Sequence, residues 1–163
     1  MNAVVRPHRL LHTLGEADLD AVLAIEQLAY EFPWTRGNFL DSLHAGYLMQ
    51  VLLTPAHGRV GYFIALAGVD ELHLLNLSVA PPCQGQGHAR YMLDALCELA
   101  RQRCAAQLWL EVRISNTRAR ELYERYGFCN VGVRRAYYPA HGCQREDAVV
   151  MSLQMAKATH GPG

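Results

Sequence analysis

The segment from Leu75 to Leu93, LNLSVAPPCQGQGHARYML, constrains this chain more than any other. A short apolar run meets two prolines, then Gln84-Gly85-Gln86-Gly87-His88-Ala89, then a stretch with apolar residues at helical spacing. Proline donates no backbone hydrogen bond and restricts the residue before it, so a strand must stop here. The glycines allow a sharp turn and let another group come close to the main chain. The helix that follows offers unpaired N–H groups and the positive end of its dipole. Strand, glycine turn and helix in that order call for an α/β architecture, and a junction of this kind suits a phosphate.

Three phosphate loops compete. The Walker pattern needs Lys followed by Ser or Thr after its last glycine, where this chain has His88-Ala89. The dinucleotide fingerprint needs a third glycine where Arg90 stands. Gln84 through Gly87 to Ala89 reads Gln-x-x-Gly-x-Ala. From these residues alone a tight turn without any ligand remains the alternative.

Around the loop the pattern gives a coarse element order. His8 to Leu14 reads as a strand and Gly15 to Tyr30 as a helix, with Leu19, Val22, Leu23, Ile25, Leu28 and Ala29 on one side. Phe32-Pro33-Trp34 breaks it, and Thr35 caps a second helix through about Leu43. Strands are expected at Tyr47 to Leu53, Arg59 to Ala67 and His73 to Ala80. After the loop helix come a strand, QLWLEV at Gln107 to Val112, a helix opened by Ser115-Asn116 and closed by Gly127, and strands near Asn130 to Tyr138 and Glu146 to Leu153. The sum is one α/β domain over residues 1–155, a central mixed sheet flanked by helices, with residues 156–163 as a flexible tail.

Composition narrows the partners. Fifteen basic and fifteen acidic residues cancel, which argues against direct nucleic-acid binding. No apolar run has membrane-spanning length, and the start, MNAVVRPHRL, lacks a signal-peptide core, so a cytoplasmic protein is expected. Five cysteines at irregular spacing read as reduced and mostly packed in the core. The eight histidines show no metal-ligand spacing, and no metal is expected.

Two residues invite chemistry. Glu111 lies within the apolar strand Leu108 to Val112 and on the same side as Trp109. Partial burial there is expected to raise its pKa and make it a general base; pairing with an arginine such as Arg113 is the plainer reading. Tyr123 falls on the apolar face of the next helix, where it is either a core residue or a general acid whose hydroxyl reaches a cleft. Asn116 is a natural helix N-cap. Leu75 to Val79, if kinked, would free main-chain N–H groups to polarise a carbonyl.

Taken with the loop, Leu108 to Phe128 (LWLEVRISNTRARELYERYGF), Arg134 to Pro139 (RRAYYP), Arg145 to Met151 (REDAVVM) and Ile25 to Phe39 (IEQLAYEFPWTRGNF) resemble the GCN5-related N-acetyltransferase superfamily. Within it the likeness is to the RimI subgroup, the bacterial ribosomal-protein alanine N-acetyltransferases, over roughly residues 8 to 155. The resemblance implies a GNAT-like fold with acetyl-CoA as cosubstrate and its loop at the strand-to-helix junction. It implies Glu111 as general base and Tyr123 as general acid. It implies coenzyme contacts from Leu77, Ser78 and Val79 on the strand, from Gly85, Gln86, Gly87, His88, Ala89 and Arg90 in the loop, and from Asn116. It implies an acceptor at the N-terminal alanine of a ribosomal protein, small-subunit protein S18, with Phe32-Pro33-Trp34 and Tyr137-Tyr138-Pro139 along the peptide groove. Members of that subgroup commonly carry Leu-Gly where this chain has His88-Ala89, so His88 either adds a phosphate contact or faces solvent. An acetyltransferase acting on a small amine and a non-catalytic coenzyme A sensor are the alternatives. Oligomeric state is not legible in the sequence.

Overall fold

Seven strands and four α-helices occupy residues 8–156, the part of the chain that this computed structural model describes. The order is β1 (Leu10–Thr13), α1 (Leu19–Ala29), α2 (Arg36–His44), β2 (Leu48–Thr54), β3 (Gly58–Gly68), β4 (Glu71–Val79), α3 (His88–Gln102), β5 (Gln107–Arg113), α4 (Thr117–Tyr126), β6 (Cys129–Pro139) and β7 (Arg145–Gln154). The strands form one mixed sheet in the order β1-β2-β3-β4-β5-β7-β6. β1 with β2, β5 with β7 and β6 with β7 are antiparallel; β4 and β5 run parallel. The expected mixed, largely antiparallel α/β sheet with flanking helices is the one observed. Residues 1–7 at the start of the expected domain, and 157–163 of the expected tail, lie outside the described residues.

By packing, the described residues divide into two compact units, 8–64 with Asn76–Met92 and Ala65–Leu75 with 93–156. In the first, α1 buries Leu19, Val22 and Ile25. The expected helix from Gly15 begins instead as a 3-10 turn, Glu16–Asp18, because the Asp18 carboxylate turns back to accept the Gly15 N–H at 2.9 Å. Leu28, placed by spacing on the buried side, is 71% exposed: the helix ends at Ala29, where the apolar stripe has already rotated away. Thr35 caps α2 as expected, accepting from the Asn38 N–H at 3.2 Å. Phe39 packs edge-on against Tyr62 at 5.7 Å between ring centres, and both are fully buried. Gly61 has to be glycine, since a Cβ there would fall 2.7 Å from the Ser78 carbonyl oxygen.

The second unit is organised by β5. Leu108, Leu110 and Val112 are buried on one face, which leaves Trp109, Glu111 and Arg113 on the other. Asn116 caps α4 by accepting the Ala119 N–H at 3.2 Å, and Gly127 ends it at φ 124°. The cysteines depart from expectation: Cys83 and Cys97 are buried, whereas Cys104, Cys129 and Cys143 are exposed thiols. Cys104 follows the end of α3, Cys129 opens the exposed strand β6, and Cys143 sits in the β6–β7 turn, places that local hydrophobicity does not distinguish from core.

Candidate active site

The glycine loop is set by both its glycines. Gly85 and Gly87 adopt φ of 77° and 84°, the left-handed region that side chains resist. Gln84 pins the turn to the strand before it by donating Nε2 to the Val79 carbonyl at 3.1 Å. The first α3 hydrogen bond runs from the Tyr91 N–H to the Gly87 carbonyl at 3.1 Å, so the N–H groups of His88, Ala89 and Arg90 precede the helical ladder and are available to an anion. This chemistry fits a pyrophosphate.

His88 is neither solvent-facing nor a plain substitute for leucine. It is 2% exposed, and its Nδ1 accepts from Arg9 Nε at 3.0 Å. Arginine only donates, so Nδ1 carries no proton and the neutral ring holds its hydrogen on Nε2, a buried atom without a hydrogen-bond partner. Burial, then the charges of Arg9 and His57, push the His88 pKa below its ordinary value. Arg9 also donates Nη2 to the Gln86 carbonyl at 2.7 Å and lies 5.3 Å over the Tyr91 ring, tying the loop from a point 77 positions away.

On the strand ahead of the loop, Leu77, Ser78 and Val79 are all buried. The Leu77 carbonyl accepts the Tyr30 hydroxyl at 3.0 Å, and Ser78 Oγ lies 2.8 Å from that hydroxyl.

Glu111 stands in a cluster. Its side chain is 7% exposed. Oε2 accepts from His73 Nε2 at 3.1 Å and from the Tyr137 hydroxyl at 3.4 Å, while Oε1 pairs with Arg134 Nε at 3.1 Å. The His73 ring stacks on Trp109 with 3.6 Å between centres, as the β4–β5 register His73↔Trp109 requires. Arg134 also lies 5.9 Å over the Trp109 ring and 5.4 Å over Tyr137. Arg113, the expected partner, is engaged by Glu146 Oε1 at 2.8 Å and the Pro139 carbonyl at 2.7 Å.

This cluster reverses one expectation. Burial does push the Glu111 pKa up, but the hydrogen bond and charge of His73, the charge of Arg134 and the Tyr137 hydroxyl together bring it below the ordinary carboxylate value. Glu111 is therefore an ionised carboxylate at neutral pH. Tyr123 is 7% exposed on α4, with its ring edge-on to Phe128 at 5.5 Å. Asn116 is placed as the α4 cap.

His73, Arg134 and Tyr137 were not singled out by sequence reasoning as partners of Glu111. Their signal is the strand register and a bulge in β6 between Arg134 and Tyr138, neither of which a single sequence states. Ala136 sits in that bulge at φ 51°, its N–H bound by Asp147 Oδ1 at 2.8 Å and its carbonyl by Arg145 Nε at 2.8 Å. The bulge turns Tyr137 toward the Glu111 carboxylate and brings the Tyr138 hydroxyl 3.2 Å from the Glu111 carbonyl. Among the described residues no group of three or more His, Cys, Asp or Glu is placed to hold a metal ion. No helix among them is long and apolar enough to cross a membrane.

Residues 19–128 match the sequence model of the Acetyltransferase (GNAT) family. The chain belongs to this family. Two curated GNAT relatives, from Haemophilus ducreyi and Escherichia coli K12, are named [Ribosomal protein bS18]-alanine N-acetyltransferase. Each is 38% identical over 146 residues, 90% of this chain, and the matches cover 100% and 97% of the two relatives. The crystal structure of the ribosomal-protein-S18-alanine N-acetyltransferase from Escherichia coli superposes with a TM-score of 0.83 at 36% identity, over 96% of this chain and 99% of that one. The GNAT likeness thus extends over nearly the whole chain and its fold.

Proposed function

We propose that this acetyltransferase moves the acetyl group of acetyl-CoA to the N-terminal alanine of ribosomal protein bS18, in the cytoplasm, by direct attack within a ternary complex. Identity of 38% over 90% of the chain with enzymes named for that reaction carries the reading. The site geometry supports it: a glycine loop with free N–H groups for the pyrophosphate and a carboxylate held ionised beside aromatic side chains.

In this reading Gly85, Gln86, Gly87, His88, Ala89 and Arg90 form the pyrophosphate cradle. Leu77, Ser78 and Val79 contact the acetyl and pantetheine part, their main-chain N–H groups stabilise the oxyanion, and Asn116 adds a coenzyme contact. An α-amino group with a pKa of about 7.7–8.0 is already roughly one-tenth neutral at pH 7, so the base need not be strong. As the amine nitrogen bonds to the thioester carbon it becomes acidic, and Glu111 takes its proton. As the carbon–sulfur bond breaks, Tyr123 gives its proton to the departing thiolate and is reset from solvent. Incubating the protein with acetyl-CoA and a peptide beginning with the substrate's alanine should add one acetyl group at the N-terminus by mass spectrometry. Acetylation of spermidine or an aminoglycoside in preference to the peptide would overturn the protein-substrate reading.

A further inference from the structure

Glu26 lies on α1, is 2% exposed and takes no part in the chemistry above. Three neutral donors from three places in the chain converge on it. Oε1 accepts the Trp34 backbone N–H at 2.9 Å, and Oε2 accepts Asn76 Nδ2 at 3.0 Å together with the Tyr62 hydroxyl. Burying a carboxylate costs more than filling the same space with an apolar side chain, so this arrangement is poorly explained as a stability device.

What the carboxylate does is fix direction. It accepts only, so Asn76 must turn its amide nitrogen inward, which leaves Asn76 Oδ1 facing Ser78 Oγ at 2.9 Å. Ser78 in turn lies 2.8 Å from the Tyr30 hydroxyl, which donates to the Leu77 carbonyl at 3.0 Å. Burial first, with the charge of Glu26 adding, pushes the Tyr30 pKa up to about 12, so its proton stays in the chain. One hydrogen-bonded path therefore starts at the Phe32-Pro33-Trp34 segment, passes through Glu26 and Asn76 and ends at Ser78 on the strand Leu77–Val79, while Tyr30 holds the same strand through the Leu77 carbonyl.

We infer that Glu26 is a positioning residue for the transfer: through Trp34 it holds the acceptor-peptide segment, and through Asn76 and Ser78 it holds the strand that receives the acetyl group, so that amine and thioester meet in register. The inference rests on the acetyltransferase reading and on its assignment of those two segments. Glu26→Gln keeps size and shape but replaces one of the two acceptors with a donor.

The test is steady-state kinetics with acetyl-CoA and the alanine peptide at a temperature well below each variant's Tm, with calorimetric titration of coenzyme A beside it. Peptide kcat/KM should fall about tenfold or more through both kcat and KM, the scale of a lost hydrogen bond to a buried charge. Coenzyme A affinity, carried by the glycine loop, should change less than threefold. Asn76→Ser should show the same split, and the double variant should be no worse than the worse single one, because both cut one path. If Glu26→Gln does not fold, Asn76→Ser tests the path one link along. A lowered Tm with unchanged peptide kcat/KM would make Glu26 structural only, and additive losses would separate the two residues; either overturns the inference. A wild-type protein inactive on the peptide overturns the proposed function itself, a result distinct from an active wild type with a fully active Glu26→Gln.

Discussion

At the scale of single residues, Glu111 shows how company outweighs burial. A carboxylate amid Leu108, Trp109, Leu110 and Val112 looks set to have a raised pKa, yet His73, Arg134 and Tyr137 all stabilise its ionised form and lower it. Glu111→Gln is expected to cut turnover by about 10²–10⁴-fold, the usual contribution of a general base, with acetyl-CoA affinity nearly intact. The loss should ease above pH 8, where free amine is abundant. Once the falling fraction of neutral amine is divided out, the remaining acidic limb of the wild-type profile should lie below the ordinary carboxylate value. His73→Phe, which keeps a ring against Trp109 but removes the Nε2 donor, should move that limb to higher pH. A limb that stays put would mean that His73 does not govern the charge of Glu111. Tyr123→Phe should melt within a few degrees of wild type, since the ring contact with Phe128 survives, while activity drops sharply. Loss of fold instead of rate would mark Tyr123 as a core residue.

Among the elements, the glycine loop and the β6 bulge do the positioning. Gly87→Glu places a side chain at φ 84°, a strain of about 1–2 kcal/mol, with its Cβ 3.4 Å from Arg9 Nη2. The new carboxylate repels phosphate and competes for the arginine that braces the loop. The KM for acetyl-CoA should rise strongly, while circular dichroism shows α3 intact, because an acidic residue is tolerated at a helix start. Unchanged coenzyme A binding in the folded variant would reduce Gln84 to Ala89 to a bare turn. Gln-x-x-Gly-x-Ala was readable because the loop is local: two glycines, a pinning glutamine and a helix start lie within a few residues. The bulge was not readable. Ala136 reaches positive φ only because Asp147 and Arg145, on the next strand, bind its backbone.

For the whole molecule, acid stability follows from carboxylates held ionised by the fold. Asp18 feels burial most strongly, which raises its pKa, but the Gly15 N–H, Arg59 and His12 together bring it below its ordinary value. A folded-state pKa below the unfolded one contributes stability above the unfolded value of about 3.9, and that contribution is lost as pH falls through the folded value. Urea unfolding of Asp18→Asn at pH 7 and pH 3 should show a smaller drop between the two than wild type shows. An equal drop would mean that the Asp18 contacts with His12 and Arg59 do not couple to folding. The element order, the loop, the family and the strand that carries Glu111 are legible from the residues alone, because periodicity, glycine and proline placement and capping act over neighbouring residues. Which groups face Glu111, the burial of His88 against Arg9 and the link from Trp34 through Glu26 to Asn76 depend on how the folded chain brings distant segments together. Those partners are brought together by strand register and chain crossings between residues up to 79 positions apart, a pairing that no local pattern records.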